Sequence, residues 1–178
     1  NISTVVNSPN GAIFPVNQDL FFETRMEPLY ALDRSSQGYI VDNTLTKYRV
    51  GPRAGNFSGV FRNDTDDCLG IHKEGSYTLV NNKPFFTGIE EKLTEYFTDA
   101  ELHGVKVKDS ISHNGSSCIR EYIFNNIHSI IETDRHVTKV TFRVIGWNCF
   151  DGSTKATIVY GNIDSFCTNG LISGQYEA

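Results

Sequence analysis

The chain has little of what would name a chemistry outright. It contains no C-x-x-C pair, no polybasic tail, no signal-peptide pattern and no apolar run of about 18 residues. The first absence argues against a tightly ligated zinc site, and the last against a membrane-spanning helix. Without a signal peptide, a cytoplasmic protein is expected. Basic excess is missing too. Lys and Arg number 16 against 21 Asp and Glu, a formal net charge of −5. The surface as a whole therefore does not advertise nucleic-acid binding, although a local basic groove is enough to neutralise phosphates. A single Trp and a single Met stand against twelve Phe and eight Tyr, a balance that leans towards β structure.

A length of 178 residues fits one domain, or one domain with an extended arm, and suffices for a real core. Residues 1–60 are interrupted by Pro9, Pro15, Pro28 and Pro52 and loosened by Gly51, Gly55 and Gly59. They read as an irregular N-terminal arm or a peripheral sheet edge that could pack on a partner subunit, with short extended pieces at Gly38–Val41 and Lys47–Val50, and residues 61–178 as the core domain. Cys68, Cys118, Cys149 and Cys167 are widely spaced; their even number permits two disulfides, but a chain of this size does not require them, and they read as reduced, mostly buried thiols. Asn-x-Ser/Thr sequons at Asn1, Asn56, Asn63 and Asn114 arise by chance in a chain so rich in these residues. No stop-like motif follows Asn169-Gly170, so the native chain is expected to continue past Ala178.

What is present is a Gly-centred turn that occurs twice. Ser112-His113-Asn114-Gly115-Ser116-Ser117 leads into Cys118–Phe124, and Cys149-Phe150-Asp151-Gly152-Ser153-Thr154 leads into Lys155–Tyr160. Asn-Gly and Asp-Gly tolerate positive φ, so each predicts a tight hairpin. A third hairpin is expected where Phe61-Arg62 enters and Cys68–Ile71 leaves around Asn63–Asp67, with a further strand at Tyr77–Val80. One helix is predicted over Thr87–Leu102. Thr87 and Glu90 have capping-box spacing, Ile89, Leu93, Tyr96, Phe97 and Ala100 share a face, and Gly104 is a natural stop. Val140, Phe142 and Val144 alternate with Lys139, Thr141 and Arg143, the pattern of an antiparallel sheet with one wet side. The fold expected is α+β: a curved antiparallel sheet of hairpins, the helix on one face, and the N-terminal arm.

Three segments resemble a phage- and plasmid-borne family, domain of unknown function 932, over roughly residues 61–172. Leu69-Gly70-Ile71 with Tyr77-Thr78-Leu79-Val80-Asn81-Asn82 is similar to its opening, the helix Ile89–Leu102 to its helix, and Asp151-Gly152-Ser153 with Cys167-Thr168-Asn169-Gly170-Leu171 to its ending. Where the family has Ser-His before Asp-Gly-Ser, this chain has Cys149-Phe150, so no role for that histidine carries over. The resemblance implies mobile-element cargo in the company of DNA-processing and recombination functions.

The segment Lys47-Tyr48-Arg49-Val50-Gly51-Pro52-Arg53 interleaves cations with an aromatic, with Arg34 and Tyr39 upstream. Arg120, Lys139 and Arg143 could extend that patch over the polar sheet face, with Tyr122 stacking on a base. An ordinary solvated strand face is the plainer alternative. A thiol-enzyme reading would use His113, Cys118, Asp151, Cys167 and Asn169, without any family-specific spacing. Asp64, Asp66 and Asp67 lack the remaining ligands of a calcium loop and read as a polar hairpin tip. The expectation is a non-enzymatic phage or mobile-element protein that binds single-stranded nucleic acid as a homo-oligomer, in strand annealing or recombination, with no cofactor or metal. The rivals are an enzyme acting on nucleic acid or nucleotides, and a structural or host-interaction protein assembling through its N-terminal arm.

Overall fold

The two glycine turns have different fates. A computed structural model describes residues 2–6, 14–33, 49–132, 134, 137–164, 172–173 and 176–177. Strands β5 (Val105–Ser112) and β6 (Ser117–Glu132) pair up to Ser112↔Ser117, so the first turn is the tight hairpin expected. His113, Asn114 and Gly115 all take positive φ there, at 52°, 57° and 110°. Strands β7 (Val137–Cys149) and β8 (Thr157–Asp164) stop pairing at Trp147↔Thr157. The second turn is therefore a broad loop over 148–156, in which only Gly152 has positive φ, at 77°.

These strands form most of a seven-stranded antiparallel sheet. Its order is β1 (Ile2–Val6), β5, β6, β7 and β8, with β9 (Ile172–Ser173) and β10 (Tyr176–Glu177) both on the edge of β8. A second sheet of three strands comprises β2 (Thr24–Asp33), β3 (Arg49–Arg62) and β4 (Cys68–Lys73). The β3–β4 hairpin is where the sequence placed it, with Phe61 opposite Cys68. Its tip is held by Arg62 on Asp64 at 2.6 Å and Arg25 on Asp66 at 2.6 Å. Arg62 holds the Asp64 carboxyl below the usual carboxylate range. The broad α+β expectation agrees with this architecture.

The helix differs in both bounds. It begins five residues early, as α1 (Asn82–Tyr96), because Pro84 is tolerated in a first turn and Phe85 and Phe86 extend the apolar face. Thr87 lies exposed inside it. The capping box belongs to Thr98, whose hydroxyl accepts from the Glu101 backbone N–H while Glu101 accepts from the Thr98 N–H, and it opens a short second helix, α2 (Asp99–His103). Tyr96 is 79% exposed rather than packed on the sheet. Tyr77–Val80 forms no strand among the described residues; its groups bind the loop opposite instead.

Part of the N-terminal third packs into the core through Leu20 and Phe22. Leu20 and Phe22 are buried with Phe86, Ile89 and Leu93 of α1 and Val107, Tyr122, Phe124 and Val144 of the large sheet. Phe14 meets the Tyr122 ring edge-on at 5.4 Å, and Asn82 Nδ2 donates to the Leu20 carbonyl at 2.8 Å. Each such fully buried apolar side chain contributes about 1.5–3 kcal/mol. The helix approaches the sheet over Gly146, where a Cβ would lie 2.6 Å from Ile89 Cδ1 and 3.0 Å from Phe86 Cε1. Of the extended pieces expected in this third, Gly38–Val41 lies outside the described residues, and the second survives only as the start of β3 at Arg49.

Candidate functional site

Register decides which basic residues can meet a partner. Side chains alternate across a strand, and residues directly opposite each other share a face. Asp109, Arg120 and Gly146 stand in one row, as do Val107, Tyr122 and Val144, and this is the set that α1 covers. Lys106, Ile123 and Arg143 stand in a row of the opposite set, followed by Lys108, Glu121 and Ile145, then Ser110, Ile119 and Trp147. Along β6 and β7 this second face continues through Ile130 opposite Lys139 and Glu132 opposite Val137.

Arg120 and Tyr122 therefore do not extend a surface patch, contrary to the sequence reading. Both are 0% exposed. The Arg120 guanidinium grips Asp109 through Nε at 2.7 Å and Nη2 at 2.9 Å, and its Nη1 donates to the Pro15 carbonyl at 3.0 Å and Glu90 at 2.8 Å. Burial works against its charge, but the Asp109 carboxylate more than offsets this and raises its pKa. Tyr122 donates to the same Glu90 oxygen at 2.9 Å. Burial raises the Glu90 carboxyl above its ordinary range, with Arg120 and Tyr122 opposing. The cluster ties the N-terminal segment, α1 and the sheet together.

The open face has a different make-up. Among the described residues it carries Lys106, Lys108, Lys139 and Arg143 against Glu121 and Glu132. Lys106 and Lys139 are exposed, while Lys108 and Arg143 are half-buried. Arg143 Nη1 reaches Glu121 at 3.3 Å, and its buried Nε–H has no acceptor among the described residues. Trp147 is 36% exposed, and its indole N–H donates to Ser117 Oγ at 2.9 Å, which fixes the ring. Of the eight residues expected to bind nucleic acid, the structure brings Lys139 and Arg143 onto this face. Arg49 and Arg53 belong to β3 in the other sheet, opposite Asp33 and Tyr30, and Lys47 and Tyr48 lie outside the described residues. The sequence reading missed Lys106, Lys108 and Trp147. The only signal for the lysines was their alternation around Val107, which is buried.

Beyond Trp147, β7 runs into a cleft of about 550 Å³ between the 148–156 loop and the connection from β4 to α1. Segments that resembled the family meet here. A Cβ on Gly70 would lie 2.3 Å from the Phe150 carbonyl oxygen, so β4 and the loop touch backbone to backbone. His72 Nε2 donates to that carbonyl at 2.6 Å and its ring stacks on Tyr77 at 3.8 Å and 4°, while the Tyr77 hydroxyl donates to the Cys149 carbonyl at 3.3 Å. Burial pushes the Tyr77 hydroxyl up to about 12, so it stays a donor. Burial also opposes ionisation of Asp151, but hydrogen bonds from Ser153 hold its carboxyl below the usual range.

The thiol reading finds no support at Cys118. Its sulfur is buried against the Gly115 carbonyl at 3.3 Å, and burial pushes the thiol up to about 12, leaving it protonated at neutral pH. Cys167 and Asn169 lie outside the described residues, and Cys68, Cys118 and Cys149 are free thiols. No helix among the described residues is long and apolar enough to cross a membrane. Compared with protein-family models, curated proteins and solved structures, the chain matches none, so the functional reading rests on geometry.

Proposed function

We propose that this chain binds single-stranded nucleic acid along the open face of its large sheet, without catalysing a reaction, as a cytoplasmic DNA-metabolism protein of a phage or other mobile element. One observation carries the reading: in a chain of net charge −5, Lys106, Lys108, Lys139 and Arg143 share with the fixed ring of Trp147 the sheet face that α1 does not cover. Cations neutralise phosphates and an accessible aromatic stacks on bases, a pairing that tolerates any sequence. Strand annealing by several copies, with a curved sheet following the nucleic acid and the N-terminal residues reaching a neighbour, is the finer form of the proposal. Ile130 and Val137, 63% and 67% exposed on the same face at the far end of β6–β7, are the side chains through which copies would touch.

The test is fluorescence anisotropy with a labelled oligo-dT across a salt series, beside light scattering for the oligomeric state. The expected result is binding whose logarithm falls linearly with that of salt concentration. Changing Lys106, Lys108, Lys139 and Arg143 together to Ala should reduce the slope by about 0.7 for each phosphate no longer neutralised. Absence of binding at low salt overturns the proposal, and a clean monomer with and without oligonucleotide overturns its annealing form.

A further inference from the structure

We propose that the cleft beside the Asp151-Gly152 turn receives a single nucleobase with its phosphate, and that guanine fits it best. The inference rests on the nucleic-acid reading only in taking the base from a bound strand. A volume of about 550 Å³ suits a nucleotide-sized ligand.

Three features of the lining define the ligand. The first is a fixed aromatic wall: His72 and Tyr77 are stacked in parallel and each is pinned by a backbone carbonyl of the opposite loop. Because a carbonyl only accepts, His72 Nε2 carries the proton, and in the neutral ring Nδ1 is an acceptor. The second feature is Gly152, which stands beside that edge of the histidine. A Cβ there would come within 3.0 Å of His72 Cε1 and 3.3 Å of Nδ1, so any larger residue would crowd the wall. The third is a pair of charges on the same exposed loop. The Asp151 carboxylate is oriented by the Ser153 N–H at 2.8 Å, and Lys155 supplies a cation four residues on.

A planar ring answers the wall, N–H donors answer the carboxylate, and a phosphate answers the lysine. Guanine offers two adjacent N–H donors to one carboxylate. Thymine offers one, flanked by carbonyls that Asp151 would repel. The cleft also continues the open face. Asn148 and Cys149 line it, and Cys149 stands opposite Ser117, whose hydroxyl holds the Trp147 indole, so it begins at the residue after Trp147, about 3.3 Å along β7.

The experiment uses oligo-dT ended, at either end, by guanine, by thymine or by an abasic residue, with anisotropy as the readout. The guanine-ended strand is expected to bind about tenfold tighter than the abasic one, the scale of one stacked base. Gly152→Val should erase that advantage while leaving the affinity for plain oligo-dT unchanged, and Arg143→Ala should do the reverse. Should Gly152→Val fail to fold, Lys155→Glu changes only an exposed side chain and should likewise shrink the advantage. Equal binding of the guanine-ended and abasic strands overturns the inference and leaves the face intact as a binding track. If no oligonucleotide binds, the track fails instead. Guanosine monophosphate alone, titrated against the His72 and Lys155 signals by NMR, then decides the cleft: shifts that Gly152→Val abolishes support it, and unmoved signals overturn it.

Discussion

Arginine sits on both faces of the β6–β7 pair, and the two side chains do opposite things. Arg120, facing α1, is wholly buried and held by Asp109, Glu90 and the Pro15 carbonyl. Arg143, facing away, is half-buried, leans on Glu121 at 3.3 Å and has one N–H donor without an acceptor among the described residues. The same chemical group is a structural rivet in one place and a candidate contact in the other. A basic residue in a sequence is therefore not evidence of a binding surface until register assigns it a face.

The largest effect should come from breaking the covered side. Arg120→Met leaves Asp109 charged and buried without its partner, which costs about 3–5 kcal/mol. The double change Arg120→Met with Asp109→Leu should recover most of that, because it removes both charges from the interior. Urea unfolding of the wild type and both variants measures this; a double variant no better than the single one would show that the ion pair is not what holds this region. On the opposite face, Arg143→Ala removes a half-buried partner of Glu121 and should cost about 1 kcal/mol, clearly less than Arg120→Met, while lowering nucleic-acid affinity.

A smaller effect separates the two ways the open face could bind. Trp147→Ala should weaken oligonucleotide binding by about 1–3 kcal/mol, the contribution of a stacked base, without altering the salt dependence. Since Trp147 is the only tryptophan, quenching of intrinsic fluorescence on binding reports the contact directly. Binding with no quenching would place the nucleic acid elsewhere on the chain.

What the sequence could and could not show follows the same division. The Asn114-Gly115 hairpin was legible because it needs only local positive φ, and the β3–β4 hairpin because polar turn residues stand between two apolar runs. The Asp151-Gly152 turn misled: residues 148–156 open into a loop because the Phe150 and Cys149 carbonyls accept from His72 and Tyr77 rather than pairing across the turn. Thr87-x-x-Glu90 and Thr98-x-x-Glu101 carry the same capping signature, and only tertiary packing of Phe85 and Phe86 shows that the first lies inside a helix. The face of Arg120 was illegible for a plain reason. In Cys118–Phe124 both alternating sets hold apolar residues, Cys118, Tyr122 and Phe124 in one and Ile119 and Ile123 in the other, so the period gives no inside. The cleft draws its wall from His72 and Tyr77 and its charges from Asp151 and Lys155, more than seventy residues away in the chain.

The smallest effect is a pH dependence that probes the covered face from its rim. Glu90, with 16% of its side chain exposed, shares one oxygen between Arg120 and Tyr122, and burial raises its carboxyl above the ordinary range despite both. A group whose folded pKa lies above its unfolded value contributes stability that is complete below the unfolded pKa and is lost as pH rises through the folded one. Glu90→Gln removes that titration while keeping an acceptor for both donors. The wild type should thus lose melting temperature relative to Glu90→Gln as pH climbs from about 4 through the raised value towards neutrality. Paired thermal melts across that interval measure the difference. A gap that instead grows in favour of the wild type towards neutral pH would mean that attraction to Arg120 outweighs burial, and that Glu90 is held as a charge the rivet needs rather than one it tolerates.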